Sequence, residues 1–139
     1  MPKKQKASGM AITPEKIGAW SFIIGVILAI IIGLAGGYMG MKVDIANPAQ
    51  SSANVVLVLG LLGVIVGILN VTDREVGLFL IATIAFLTAA TALEAVLRAI
   101  PVVGNVLNPI LSCVAIFVAP GAAIIAIKAL WDISKARYA

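Results

Sequence analysis

The chain has no histidine, a single cysteine (Cys113) and only six acidic residues among 139. Metal sites, acid–base pairs and activated nucleophiles are drawn from those side chains. With so few of them, no catalytic, metal-ligating or cofactor-binding set can be assembled, and the sequence reads as non-enzymatic with no cofactor. Charge is scarce as well. Lys, Arg, Asp and Glu make up 12% of the residues, about half the share in an ordinary soluble domain, which excludes a soluble globular or a disordered protein. One cysteine cannot make a disulfide scaffold.

What is present is apolar. Hydrophobic residues make up 62% of the chain and the mean hydropathy is +1.14, which places it in a lipid bilayer. A hydrocarbon core of about 30 Å needs about 20 apolar residues in a helix. Four such runs are present, at about 17–37, 54–70, 76–97 and 109–131. Their composition is continuously apolar, and backbone groups in lipid must be satisfied internally, so the runs are helices rather than strands of a barrel. The expected fold is all-α: a polytopic membrane protein of four transmembrane helices arranged as two helical hairpins. It comprises a basic tail over 1–16, a membrane domain over 17–131 and a short basic tail over 132–139.

Helix starts are written locally. Thr13-Pro14 precedes the first run, Ser51-Ser52 the second, and Asn108-Pro109 the fourth, each a cap, two of them followed by proline at the first helical position. Thr72-Asp73-Arg74-Glu75 before the third has the Thr-x-x-Glu pattern of a capping box. The basic start followed by an apolar run is not a secretory signal, because the run exceeds the usual h-region.

Orientation follows from Lys and Arg. Lys3, Lys4, Lys6, Lys16, Arg74, Lys128, Lys135 and Arg137 fall on one side, while Lys42 and Arg98 fall on the other. The basic side is expected to be cytoplasmic, and an even number of spans puts both termini there, in the cell membrane. Trp20 and Trp131 on that side and Tyr38 on the other read as interfacial anchors. The net charge of +4 is this basic rim. Its expected partners are the bilayer itself and anionic lipid at the rim. Neither nucleic acid nor a small-molecule substrate is indicated.

Two small-residue series stand out. Ser21, Gly25, Ala29, Gly33 and Gly37 recur every four residues in the first run, and Gly60, Gly63 and Gly67 share a face of the second. Such ridges let helix backbones approach closely. They are expected to pack the two helices of one hairpin together or to mate with another copy of the chain, giving a homo-oligomer. Glu94 is the one acid well inside an apolar run. Placed near the outer hydrocarbon edge, it is expected to snorkel toward water and pair with Arg98 four residues on, or to serve as a proton site. Four-span proton-coupled multidrug transporters carry an acid in their first helix, and residues 17–37 have none. Pro120-Gly121 inside the fourth run predicts a kink, and the apolar segment 100–107 is expected to be an interfacial turn.

The stretch Gly67-Ile68-Leu69-Asn70-Val71-Thr72-Asp73-Arg74-Glu75 with Phe79-Leu80-Ile81-Ala82, and Phe117-Val118-Ala119-Pro120-Gly121-Ala122-Ala123 with Lys128-Ala129, resembles small uncharacterised four-span membrane proteins of archaea and deep-branching bacteria. The resemblance implies a prokaryotic membrane and no particular activity. The sequence thus favours a structural or assembly protein that self-associates through its glycine-rich helix faces, ahead of a small oligomeric channel or transporter with a path along spans three and four.

Overall fold

The computed structural model describes residues 14–44, 51–69 and 76–137, and every regular element among them is an α-helix. Helix α1 is Pro14–Met39, α2 is Ala53–Leu69, α3 is Val76–Arg98 and α4 is Pro101–Ala136. Three of them, α1, α3 and α4, are long and apolar enough to cross a membrane, and α2 is a shorter apolar helix of 17 residues. At 1.5 Å per residue α2 measures about 26 Å, close to the thickness of a hydrocarbon core. The molecule is a helical membrane protein.

Local chemistry explains most helix ends. Gly40 follows α1 with φ +69°, and the Met41 N–H donates to the Gly36 carbonyl at 2.8 Å. That is a Schellman cap, which needs the left-handed residue glycine supplies at no steric cost. The Thr13 cap and the capping box at 72–75 lie outside the described residues. Ser51 does something other than cap α2: its hydroxyl accepts the Asp44 N–H at 2.9 Å and donates to the Asp44 carbonyl at 3.2 Å. The carbonyl of Ser52 accepts the N–H groups of Val55 and Val56 and begins the helix.

The fourth helix corrects the sequence reading. Instead of starting at Pro109 and ending near Trp131, α4 begins eight residues earlier, at Pro101, and runs 36 residues to Ala136. The expected interfacial turn over 100–107 is therefore helix. Ile100, extended at φ −114°, is the cap, and the first-turn proline is Pro101. Pro109 and Pro120 both lie inside a helix that continues through them. Each removes one backbone donor, which a packed transmembrane helix tolerates because neighbours fill the gap.

Only Ala99 and Ile100 separate α3 from α4. The turn is that tight because residue 104 has no side chain: a Cβ on Gly104 would collide with the Leu97 carbonyl. Helix α4 packs against each of the other three, whereas α1 and α2 meet over a smaller area. The architecture is thus three helices around a long fourth. Leu59, Cys113, Phe117 and Ala29 are fully buried at its centre, where the Phe22 ring meets Phe79 edge-on at 5.5 Å and Phe117 at 6.0 Å. The outward faces are apolar, with Leu78, Ile81 and Ile84 of α3 each about two-thirds exposed or more.

Candidate functional site

Charged groups inside an apolar helix are expensive and mark function by default. Among the described residues, Glu94 and Arg98 of α3 meet Asp44 at one end of the bundle. Glu94, in the last turns of α3, is 6% exposed and points into the protein rather than snorkelling outward. Arg98, one turn further, donates from Nη2 to Glu94 Oε1 at 2.8 Å and from the same nitrogen to Asp44 Oδ2 at 2.8 Å. The i, i+4 pair expected from spacing is formed, and Asp44 makes it a triad. Asp44 is held by Ser51, and the Ser52 N–H donates to the Lys42 carbonyl at 3.2 Å. The segment after α1 is therefore tied both to the start of α2 and to the end of α3.

This triad lies on the wall of a cleft of 480 Å³. Gly37 and Lys42 line it from the α1 side, and Asn105 and Asn108 from α4. The Oδ1 of Asn108 is buried with no hydrogen-bond partner, and so is the Oγ of Ser112 one turn deeper. Below them Phe117 and its ring neighbours close the interior. The other hydroxyls of interest satisfy themselves on their own helices. Thr88 donates to the Ile84 carbonyl, Thr91 to that of Thr88 and Ser21 to that of Ile17, at 2.7–2.8 Å. Thr83 is buried in α3.

The two glycine ridges meet α4, not each other. A Cβ on Gly25 would enter the Phe117 ring, one on Gly33 would stand 2.5 Å from the Ile110 Cα, and one on Gly37 would stand 3.0 Å from the Asn105 carbonyl oxygen. Ala29 is fully buried between them and Ser21 is half-buried. On α2, Gly63 abuts the Phe117 carbonyl, and a Cβ on Gly67 would meet the Cα of Gly121 at 2.7 Å. Gly60 faces open space. Every ridge glycine except Gly60 therefore packs against α4 within the chain. Beside Pro120, Gly121 provides the bare backbone on which α2 rests.

Sequence reasoning does not single out Asp44 and reads Asn108 only as a helix cap. Asp44 follows a helix end and resembles any loop acid, and Asn108 resembles a cap because proline follows it. Only tertiary structure brings them to Glu94. No protein family matches the chain, and no curated protein or solved structure is similar to it.

Proposed function

We propose that the chain is a four-span protein of the cell membrane, both termini cytoplasmic, that works as a non-enzymatic structural or assembly unit. The observation that carries this reading is how the distinctive residues are used. The glycines at 25, 33, 37, 63, 67 and 121 and the Asp44–Arg98–Glu94 triad all join one element of the chain to another. Contact between copies is assigned to the outer apolar face of α2, where Gly60 makes a notch between Leu57 and Leu61, each 61% exposed. The meeting of Asp44 with Arg98 supports one shared end for the α1–α2 and α3–α4 connections, as an even number of spans requires.

Two measurements test this. Native mass spectrometry from gentle detergent should give a defined oligomer that Gly60→Ile alters; a monomer throughout removes the assembly reading. In a chain with Cys113 replaced, a cysteine at Gln50 should react with an impermeant maleimide in intact cells and one at Ser8 should not. The reverse pattern overturns the orientation.

A transport reading has one observation in its favour: Thr83, Glu94 and Ser112, three buried polar side chains, lie on α3 and α4. Against it, the Phe22, Phe79 and Phe117 rings fill the interior beyond Ser112. A Glu94-dependent cation or proton current in reconstituted vesicles, lost in Glu94→Gln, would establish transport in place of the structural role.

A further inference from the structure

Two acceptor oxygens are left over in the cleft at the triad. Glu94 is 6% exposed and lines the cleft, and Arg98 takes its Oε1, which leaves Oε2 without a donor among the described residues. Asn108 lines the cleft too, and its Oδ1 is buried with no partner. The two stand near the same level of the bundle. Helices α3 and α4 fold back on each other at the contact between Gly104 and the Leu97 carbonyl, with Glu94 three residues before Leu97 and Asn108 four residues after Gly104. Donors line the cleft as well. Both ion pairs of Arg98 use Nη2, so its Nε and Nη1 take part in neither, and the side chain is 52% exposed.

These groups select a ligand by hydrogen bonding. An apolar molecule would leave both oxygens buried and unsatisfied, which is costly. Carboxylates and cations line the same cleft, so a bare ion of either sign would meet its like as well as its opposite. A metal ion lacks its ligand set, since among the described residues no three His, Cys, Asp or Glu side chains converge. A hydroxyl group suits every neighbour, because it donates to a carboxylate or amide oxygen and accepts from a guanidinium. One neutral molecule with several hydroxyls can do both at once. The room is adequate: 480 Å³ lies within the range of about 300–1,000 Å³ usual for small-molecule sites. Gly37, Gly40 and Gly104 keep their part of the wall free of side chains.

We propose that this cleft binds a neutral polyol, with hydroxyls that donate to Glu94 Oε2 and Asn108 Oδ1 and accept from Arg98. The same chemistry occurs in a free polyol such as glycerol or a simple sugar and in the sugar head group of a neutral glycolipid. The site goes beyond the structural role and does not depend on it.

Sugar-headed detergents would compete for such a site, so the test uses the purified full chain in phosphatidylcholine nanodiscs. Isothermal titration compares glycerol, glucose and 1-propanol, the last a control with the carbon chain of glycerol and a single hydroxyl. At least one polyol should bind at least roughly tenfold more tightly than 1-propanol. Asn108→Ala and Glu94→Gln should each weaken that polyol roughly tenfold, whereas Leu107→Ala, at an exposed side chain of α4 outside the cleft, should leave it within about twofold. Native mass spectra from nanodiscs that mix phosphatidylcholine with glucosyl diacylglycerol assign the source. Retention of the glycolipid, lost in Asn108→Ala, assigns a head group, and binding of a free polyol without such retention assigns a solute. The proposal is overturned if no polyol outbinds 1-propanol and no glycolipid is retained, or if Asn108→Ala and Glu94→Gln both bind like the parent; water alone then fills the cleft.

Discussion

The bundle is tied in two ways. Where α1 and α2 meet α4 the grip is shape: glycines at 33, 37, 63 and 67 bring backbone against backbone. At the end of α3, a helix otherwise turned outward, the distinctive tie is charge, with Arg98 pairing Glu94 of its own helix and Asp44 of the segment after α1. The contrast shows in burial, since 11% of the most apolar stretch of α3 is buried against 44% for α4. In lipid no hydrophobic force draws helices together, so association depends on close van der Waals contact or on polar ties. The two ties represent those two solutions. They should fail differently.

The largest effect is expected where shape does the holding. Gly63→Ile places a branched side chain against the Phe117 carbonyl, and Gly33→Ile places one against the Ile110 backbone. Neither neighbour is a flexible side chain that can swing aside. Each substitution should destabilise the bundle at or above the roughly 1–3 kcal/mol usual for overpacking. Gly60→Ile, which meets nothing within 4 Å, should leave the fold of a single chain intact. Thermal melting of the three variants in one detergent checks this, and equal melting would mean that α4 is not seated on these glycines.

A smaller and asymmetric effect is expected at the charged tie. Arg98→Gln removes the partner of a carboxylate that is only 6% exposed. Asp44→Asn leaves the Glu94–Arg98 pair in place and keeps the backbone bonds to Ser51. Arg98→Gln should therefore lower the melting temperature more than Asp44→Asn does, because an unpaired buried charge is worse than a lost partly exposed contact. The double change Glu94→Gln with Arg98→Gln should recover part of the loss. Equal losses from the two single changes would show that Glu94 is hydrated and the triad is a surface feature.

How much of this could be read in the sequence depends on the range of the interaction. Apolar run lengths identified the helical membrane class, and the spacing of Glu94 and Arg98 gave their pairing, because both are set within a turn or a span. The extent of α4 was not legible, since Ile100-Pro101 and Asn108-Pro109 both resemble helix starts. In the structure Pro109 lies inside α4, with its carbonyl packed against Gly33. Nor was the partner of each glycine ridge legible: spacing shows that a helix can approach closely and says nothing about which one. The φ of +69° at Gly40, which identifies it as the cap of α1, is likewise visible only in the structure.

The smallest effect is expected at Ser112, between the two ties. Its side chain is fully buried on α4, one turn below Asn108, and its hydroxyl has no partner. A buried hydroxyl without a hydrogen bond is a desolvation cost of roughly 1–3 kcal/mol with nothing set against it. Ser112→Ala removes the hydroxyl and little volume, so the melt should stay within about 1 kcal/mol of the parent and on the stabilising side. If the hydroxyl instead bonds to a water or to a molecule held in the cleft, the same change breaks that bond and stability falls. A destabilised Ser112→Ala would thus extend the polar cleft a full turn deeper into the bundle, and the charged end would no longer be separated from the closely packed core.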